Sequence, residues 1–134
     1  MPRASRRKTI PVSRLETRQY MEKARQFLWA AEDTMKEGLH TAAAGNAIHA
    51  GISAADALSG AVLEWRWAGE HDQAPAFLES IGNAGKDAAK RLRRLLSYKT
   101  KAEYDSAPIS KKEAETALRA AQSLVQLAET HVEG

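Results

Sequence analysis

The sequence predicts an all-α protein. Three observations carry that expectation. Apolar residues recur at three- and four-residue spacing through most of the chain, which is the period of an amphipathic helix. No alternating run of β-branched residues marks a strand. Two serines, Ser13 and Ser110, each stand three residues before a glutamate, Glu16 and Glu113, at the head of such a periodic stretch. That spacing is a capping box, in which each side chain satisfies a backbone N–H left over at a helix start.

Five helices follow from this reading. Residues 1–13 hold two prolines, several basic residues and little apolar content, and are expected to be a disordered basic arm. Residues 14–132 then form one domain, a size that can bury a small core. The first helix is expected over 14–37, with Tyr20, Ala24, Phe27, Leu28, Ala31 and Met35 on one face and Gly38 as its stop. The second is expected over 39–67 and would be about 43 Å long at ~1.5 Å per residue. It carries two small or apolar stripes, Ala43-Ala47-Ala50-Ala54-Ala57-Ala61 and Ile48-Ile52-Ala55-Val62. A helix apolar on two sides is sandwiched between neighbours, and this length suggests that a second copy of the chain supplies one of them.

A turn over 68–72 leads to a short helix over 73–82, with Phe77, Leu78 and Ile81 inward. Asn83-Ala84-Gly85 breaks it. A basic helix over 86–98 turns Ala88, Ala89, Leu92, Leu95 and Leu96 to the core. A connector over 99–109 closes at Pro108, and Ser110 caps the last helix, whose stripe runs from Ala114 through Leu118 and Val125 to Ala128.

Charge is unevenly spread. The formal net charge is only +3, yet residues 1–14 carry +5 and residues 86–101 carry +6, set against −5 over 15–85 and −3 over 102–134. Clustering of this kind is better evidence for an anionic partner than net charge is. Lys90, Arg91 and Arg94 share one helix face at i+3 and i+4 spacing. With Lys99 and Lys101 they are the expected phosphate contacts, binding nucleic acid without sequence choice. No helix-turn-helix pair is evident, so RNA is favoured over DNA.

Several chemistries lack their motifs. The chain has no cysteine, which removes disulfides and thiolate chemistry and fits a reducing compartment. His40, His49, His71 and His131 have no local metal-ligand spacing. No glycine-rich phosphate loop, nucleophile elbow, secretory signal or bilayer-length apolar run is present. The expectation is a cytoplasmic protein with no metal, no cofactor and no membrane partner. Asp56, mid-helix among small residues, is costly if buried and would then need a partner such as Lys99, Arg91 or His71. His49, Asp56 and Asp105 are read as polar-network or interface residues.

The stretch Leu95-Leu96-Ser97-Tyr98-Lys99-Thr100-Lys101-Ala102-Glu103-Tyr104-Asp105, followed by Ser110 and an alanine-rich helix, resembles the C-terminal half of HEPN domains. Ile48-His49-Ala50-Gly51-Ile52-Ser53-Ala54-Ala55-Asp56-Ala57-Leu58 is similar to the long second helix of that family, and Gly69-Glu70-His71-Asp72-Gln73-Ala74 to the turn before its third. The resemblance implies an up-and-down bundle of about five helices that forms a homodimer. It also implies a cleft where active members carry an Arg-x(4–6)-His motif that cleaves RNA. Here Lys99 and Tyr104 stand at the aligned positions. An unperturbed tyrosine titrates near ~10 and is a poor substitute for histidine near neutrality. The favoured reading is therefore a non-catalytic binding module for nucleic acid or an acidic partner, in the manner of family members from toxin–antitoxin or nucleotidyltransferase pairs. The alternatives are a metal-independent endoribonuclease with a rearranged site from Lys99, Tyr104 and His71, and a structural or adaptor oligomer.

Overall fold

Residues 8–132 are described by the computed structural model, and among them six helices and one two-stranded ribbon account for the regular structure. In chain order these are β1 (Thr9–Pro11), α1 (Arg14–Lys36), α2 (His40–Leu63), β2 (Trp65–Trp67), a 3₁₀ turn (His71–Gln73), α3 (Ala74–Glu79), α4 (Asn83–Leu96), α5 (Lys99–Glu103) and α6 (Lys111–His131). The all-α bundle expected from the sequence is the observed architecture.

Both capping boxes form. Glu16 N donates to Ser13 Oγ at 3.0 Å and Ser13 N to Glu16 Oε1 at 2.9 Å. Glu113 N donates to Ser110 Oγ at 3.1 Å and Ser110 N to Glu113 Oε1 at 2.9 Å. Each box satisfies orphan donors at the start of a long helix.

The second helix lies at the centre. It packs against α1, α6 and α4, and its buried residues run nearly all the way round it, from Ala43 through Ile48, Gly51 and Ala54 to Leu58 and Gly60. Most of the small-residue face is thus covered within one chain by three neighbouring helices, while Val62 stays exposed and Ile52 and Ala61 half-buried. Gly51 is one reason α4 comes so close: a Cβ there would run into Leu95 Cδ1 and lie 3.5 Å from Leu124 Cδ2. Met21, Ile48, Leu58, Leu78, Leu92, Leu95 and Leu124 are the largest apolar side chains that are fully buried, and alanines fill the seams between them.

Several boundaries differ from the sequence expectation. The second helix ends at Leu63, not at residue 67, because Glu64 turns left-handed at φ 62° and the chain leaves in extended form. Trp65 and Trp67 lie on β2, which pairs antiparallel with β1 in the register Thr9↔Trp67, Ile10↔Arg66 and Pro11↔Trp65. The last part of the supposed disordered arm is therefore an ordered strand, extended by Val12 N donating to Glu64 O at 2.9 Å and Ala68 N to Lys8 O at 2.6 Å. Residues 1–7 of the arm lie outside the described residues. The basic helix begins at Asn83, three residues early, and a short helix, α5, forms inside the expected connector.

Gly85 sits in the first turn of α4, where a Cβ would collide with Leu78 O of α3. A backbone carbonyl cannot swing aside as a side chain can. Gly85→Ala is expected to destabilise the fold by about 1–3 kcal/mol, read as a lower midpoint in urea denaturation with an unchanged slope.

Candidate functional site

The basic segment does not form one surface. Its residues divide among three settings, each fixed by the helix that carries it. On the outer face of α4, Lys90, Arg91 and Arg94 line a groove of about 370 Å³ together with Thr116, Arg119 and Ser123 of α6. The i, i+1, i+4 spacing on α4 and the i, i+3, i+7 spacing on α6 bring these side chains to the two walls. Among the described residues, no acidic side chain lines the groove. Arg91 Nε lies 3.3 Å from Asp87 Oδ1 as an ion pair but without hydrogen-bond geometry.

Lys101 and Arg93 face elsewhere. Lys101 Nζ donates to Glu113 Oε1 at 2.9 Å, and this bond with the Ser110 cap holds the Glu113 carboxyl down at about 2. The ammonium expected to meet phosphate thus closes the connector onto the start of α6. Arg93 grips Glu79 of α3 with two bonds, at 2.8 and 3.1 Å.

Lys99 belongs to the third setting. Its Nζ lies 3.5 Å from His71 Nδ1, and the two line an open cleft of about 530 Å³ with Gly69, Asp72, Leu96 and Thr100. Burial, then Lys99, then His49 lower the His71 pKa from its ordinary value, and Glu103 opposes them. The imidazole therefore stays neutral to lower pH. Tyr104, by contrast, caps the end of α5 at 77% exposure and lines neither the cleft nor the groove. Of the three residues expected to share a rearranged site, two are brought together and one is not. Asp105 is exposed beside Tyr104. His49 stacks on Phe27 of α1, ring centroids 5.2 Å apart.

Gly69 and His71 also belong to a deeper cavity of about 80 Å³, walled by Ile52, Ala55, Trp67 and Leu92 and holding Asp56 and Arg66. Trp67 is held in place by Phe77, with ring centroids 5.7 Å apart, and by its Nε1 donating to Glu70 O at 2.8 Å. Arg66 lies over the Tyr20 ring at 5.4 Å, a cation–π contact. Burial pushes the Asp56 carboxyl up to about 7, against the pull of Arg66 and Lys23. Of the partners expected for Asp56, only His71 shares this cavity; Arg91 and Lys99 line other surfaces. Among the described residues no cluster of three or more acidic or histidine side chains is placed to hold a metal ion, and no helix is long and apolar enough to cross a membrane.

Sequence reading passes over Arg66, Thr116, Arg119 and Ser123. Arg119 has a usable signal, since Thr116, Arg119 and Ser123 recur at one-turn spacing along one side of α6. Arg66 has none, because the apolar period carries the expected helix past it. Compared with models of known families and with curated proteins, the chain matches none.

The shifted carboxyl has a measurable consequence. Between the ordinary carboxylate value of 3.8 and about 7, folded Asp56 keeps a proton that the unfolded chain has released. Its stabilising contribution is full below 3.8 and is lost as the pH rises, the loss ending near 7. Asp56→Asn removes that loss. It is expected to raise stability at pH 8 by on the order of 3 kcal/mol and to change little at pH 4, which thermal denaturation at the two pH values checks.

Proposed function

We propose that this chain is a HEPN-like module that binds RNA through its phosphate backbone along the groove between α4 and α6 and is not itself a catalyst. One observation carries the reading: Lys90, Arg91, Arg94 and Arg119 converge on a groove lined by no carboxylate among the described residues and flanked by the hydroxyl-bearing Thr116 and Ser123. Guanidinium groups grip phosphate with two parallel donors, and hydroxyls add neutral ones. Contacts of this kind to phosphate carry no sequence information, so binding through them is set by charge and shape.

Affinity for a single-stranded RNA is expected to fall steeply with salt, with a log–log slope of about −2 to −3 for three or four phosphate contacts. Arg94→Glu and Arg119→Glu should each weaken binding about tenfold and reduce that slope. Fluorescence anisotropy at several salt concentrations measures both. Undetectable binding at low salt, or equal binding by the two variants and the parent, removes the reading.

A second reading, metal-independent RNA cleavage, rests on the 3.5 Å approach of Lys99 to a neutral His71. A neutral imidazole can take a proton from an attacking hydroxyl, and an adjacent ammonium can offset developing charge. Cleavage of mixed RNA in chelator, abolished by His71→Ala and unaffected by Tyr104→Phe, would support it. A pure parent protein that leaves RNA intact would end it.

A further inference from the structure

We propose that the Asp56 cavity receives the Watson–Crick edge of a guanine base. The inference rests on the RNA-binding reading for its ligand class, but the site is a different one, on the opposite side of α4 from the basic groove. Leu92 walls the cavity, whereas Lys90 and Arg94 line the groove.

The starting point is an unanswered acceptor. The Asp56 carboxyl makes no hydrogen bond and no ion pair with any other described residue. It nonetheless stands in a cavity whose other walls are Ile52, Ala55, Trp67 and Leu92. A half-buried carboxyl with no donor from the protein is open to a ligand that brings donors of its own. The cavity, at about 80 Å³, exceeds what one water of ~30 Å³ fills.

The charges nearby decide what kind of donor fits. Arg66 lines the same cavity and Lys23 acts on Asp56 from α1, so a cationic ligand would meet two positive charges for one negative. A neutral ligand with N–H donors avoids that repulsion. Arg66 uses one donor on Trp67 O, at 3.3 Å, from a guanidinium that has five. The complementary ligand therefore presents two adjacent donors to the carboxylate and an acceptor to the arginine. Guanine has this pattern along one edge: the N2 amino group and N1–H side by side, then the O6 carbonyl. Adenine, cytosine and uracil each present a single donor position flanked by acceptors or C–H, and leave one carboxylate oxygen unmatched.

Size and access agree with an edge-on entry. The deep cavity admits the edge, and the remainder of the purine lies in the open cleft of about 530 Å³ that shares Gly69 and His71 with it. Trp67, pinned by Phe77 and Glu70, forms a fixed wall of the inner cavity. Lys99 stands on the outer cleft together with Glu70 and Asp72, so a base without a phosphate meets less repulsion there than a nucleotide does.

The test titrates the full chain with GMP, AMP, CMP and UMP by calorimetry at pH 8, where the Asp56 carboxyl has released its proton and offers two acceptors. The expected result is GMP binding at least tenfold tighter than the other three. Asp56→Asn, which offers one donor and one acceptor where the carboxylate offered two acceptors, should lose at least tenfold for GMP alone while keeping a cooperative thermal transition. Two RNA arms separate free nucleotide from chain-bound base: an oligouridylate, and the same oligomer with one central guanosine. The guanosine should strengthen binding to the parent and not to Asp56→Asn. Equal affinity of the parent for all four nucleotides overturns the inference without recourse to any variant, and so does GMP binding that survives Asp56→Asn. GMP selectivity with no binding of oligouridylate would retain the pocket and remove the backbone reading, whereas salt-dependent oligouridylate binding with no GMP preference would do the reverse.

Discussion

Alanine and glycine at the seams of α2 let three helices lie close against it, and dispersion attraction along those seams holds the domain together. Alanine loses almost no side-chain entropy on burial, so the central helix is ordered at low cost even though each atom pair attracts weakly. The close approach has a second effect. It sets α4 by its inner face, Ala88, Ala89, Leu92 and Leu95, all buried, and thereby turns Lys90 and Arg94 outward toward α6. The positions of Asp56 and His49 along α2 follow from the same packing. Both surfaces of interest are thus consequences of how the small-residue helix is surrounded.

The parts of the fold that are legible in the sequence are those encoded within one turn of helix. The capping boxes at Ser13 and Ser110, the stop at Gly38 and the inward stripes of α1, α4 and α6 all depend on neighbours three or four residues apart. The boundary at Leu63 is not legible. Its cause is a left-handed Glu64, a conformation for which glutamate gives no signal. In sequence alone, the small-residue stripes suggest a surface for a second copy. The packing of α1, α4 and α6 covers most of those residues within one chain and leaves Val62 exposed.

The candidate sites divide along similar lines. Charge counting along the chain locates the basic block, and helical spacing places Lys90, Arg91 and Arg94 on one face. It does not tell which cations have partners, because those partners are distant in sequence: Glu113 for Lys101 and Glu79 for Arg93. Arg119 completes the groove from a helix that carries no basic cluster of its own. The cost of burying Asp56 is evident from its neighbours, whereas the cavity around it is built by residues 66–71, which the sequence pattern places at a helix end and a turn.

The ribbon of β1 and β2 joins residues nearly sixty positions apart, Thr9 with Trp67. Arg66 and Trp67, two walls of the Asp56 cavity, ride on that ribbon. The cavity therefore depends on the ribbon as well as on the docked helices. A chain whose helices have docked but whose ribbon is still open would already present the basic groove while lacking the pocket.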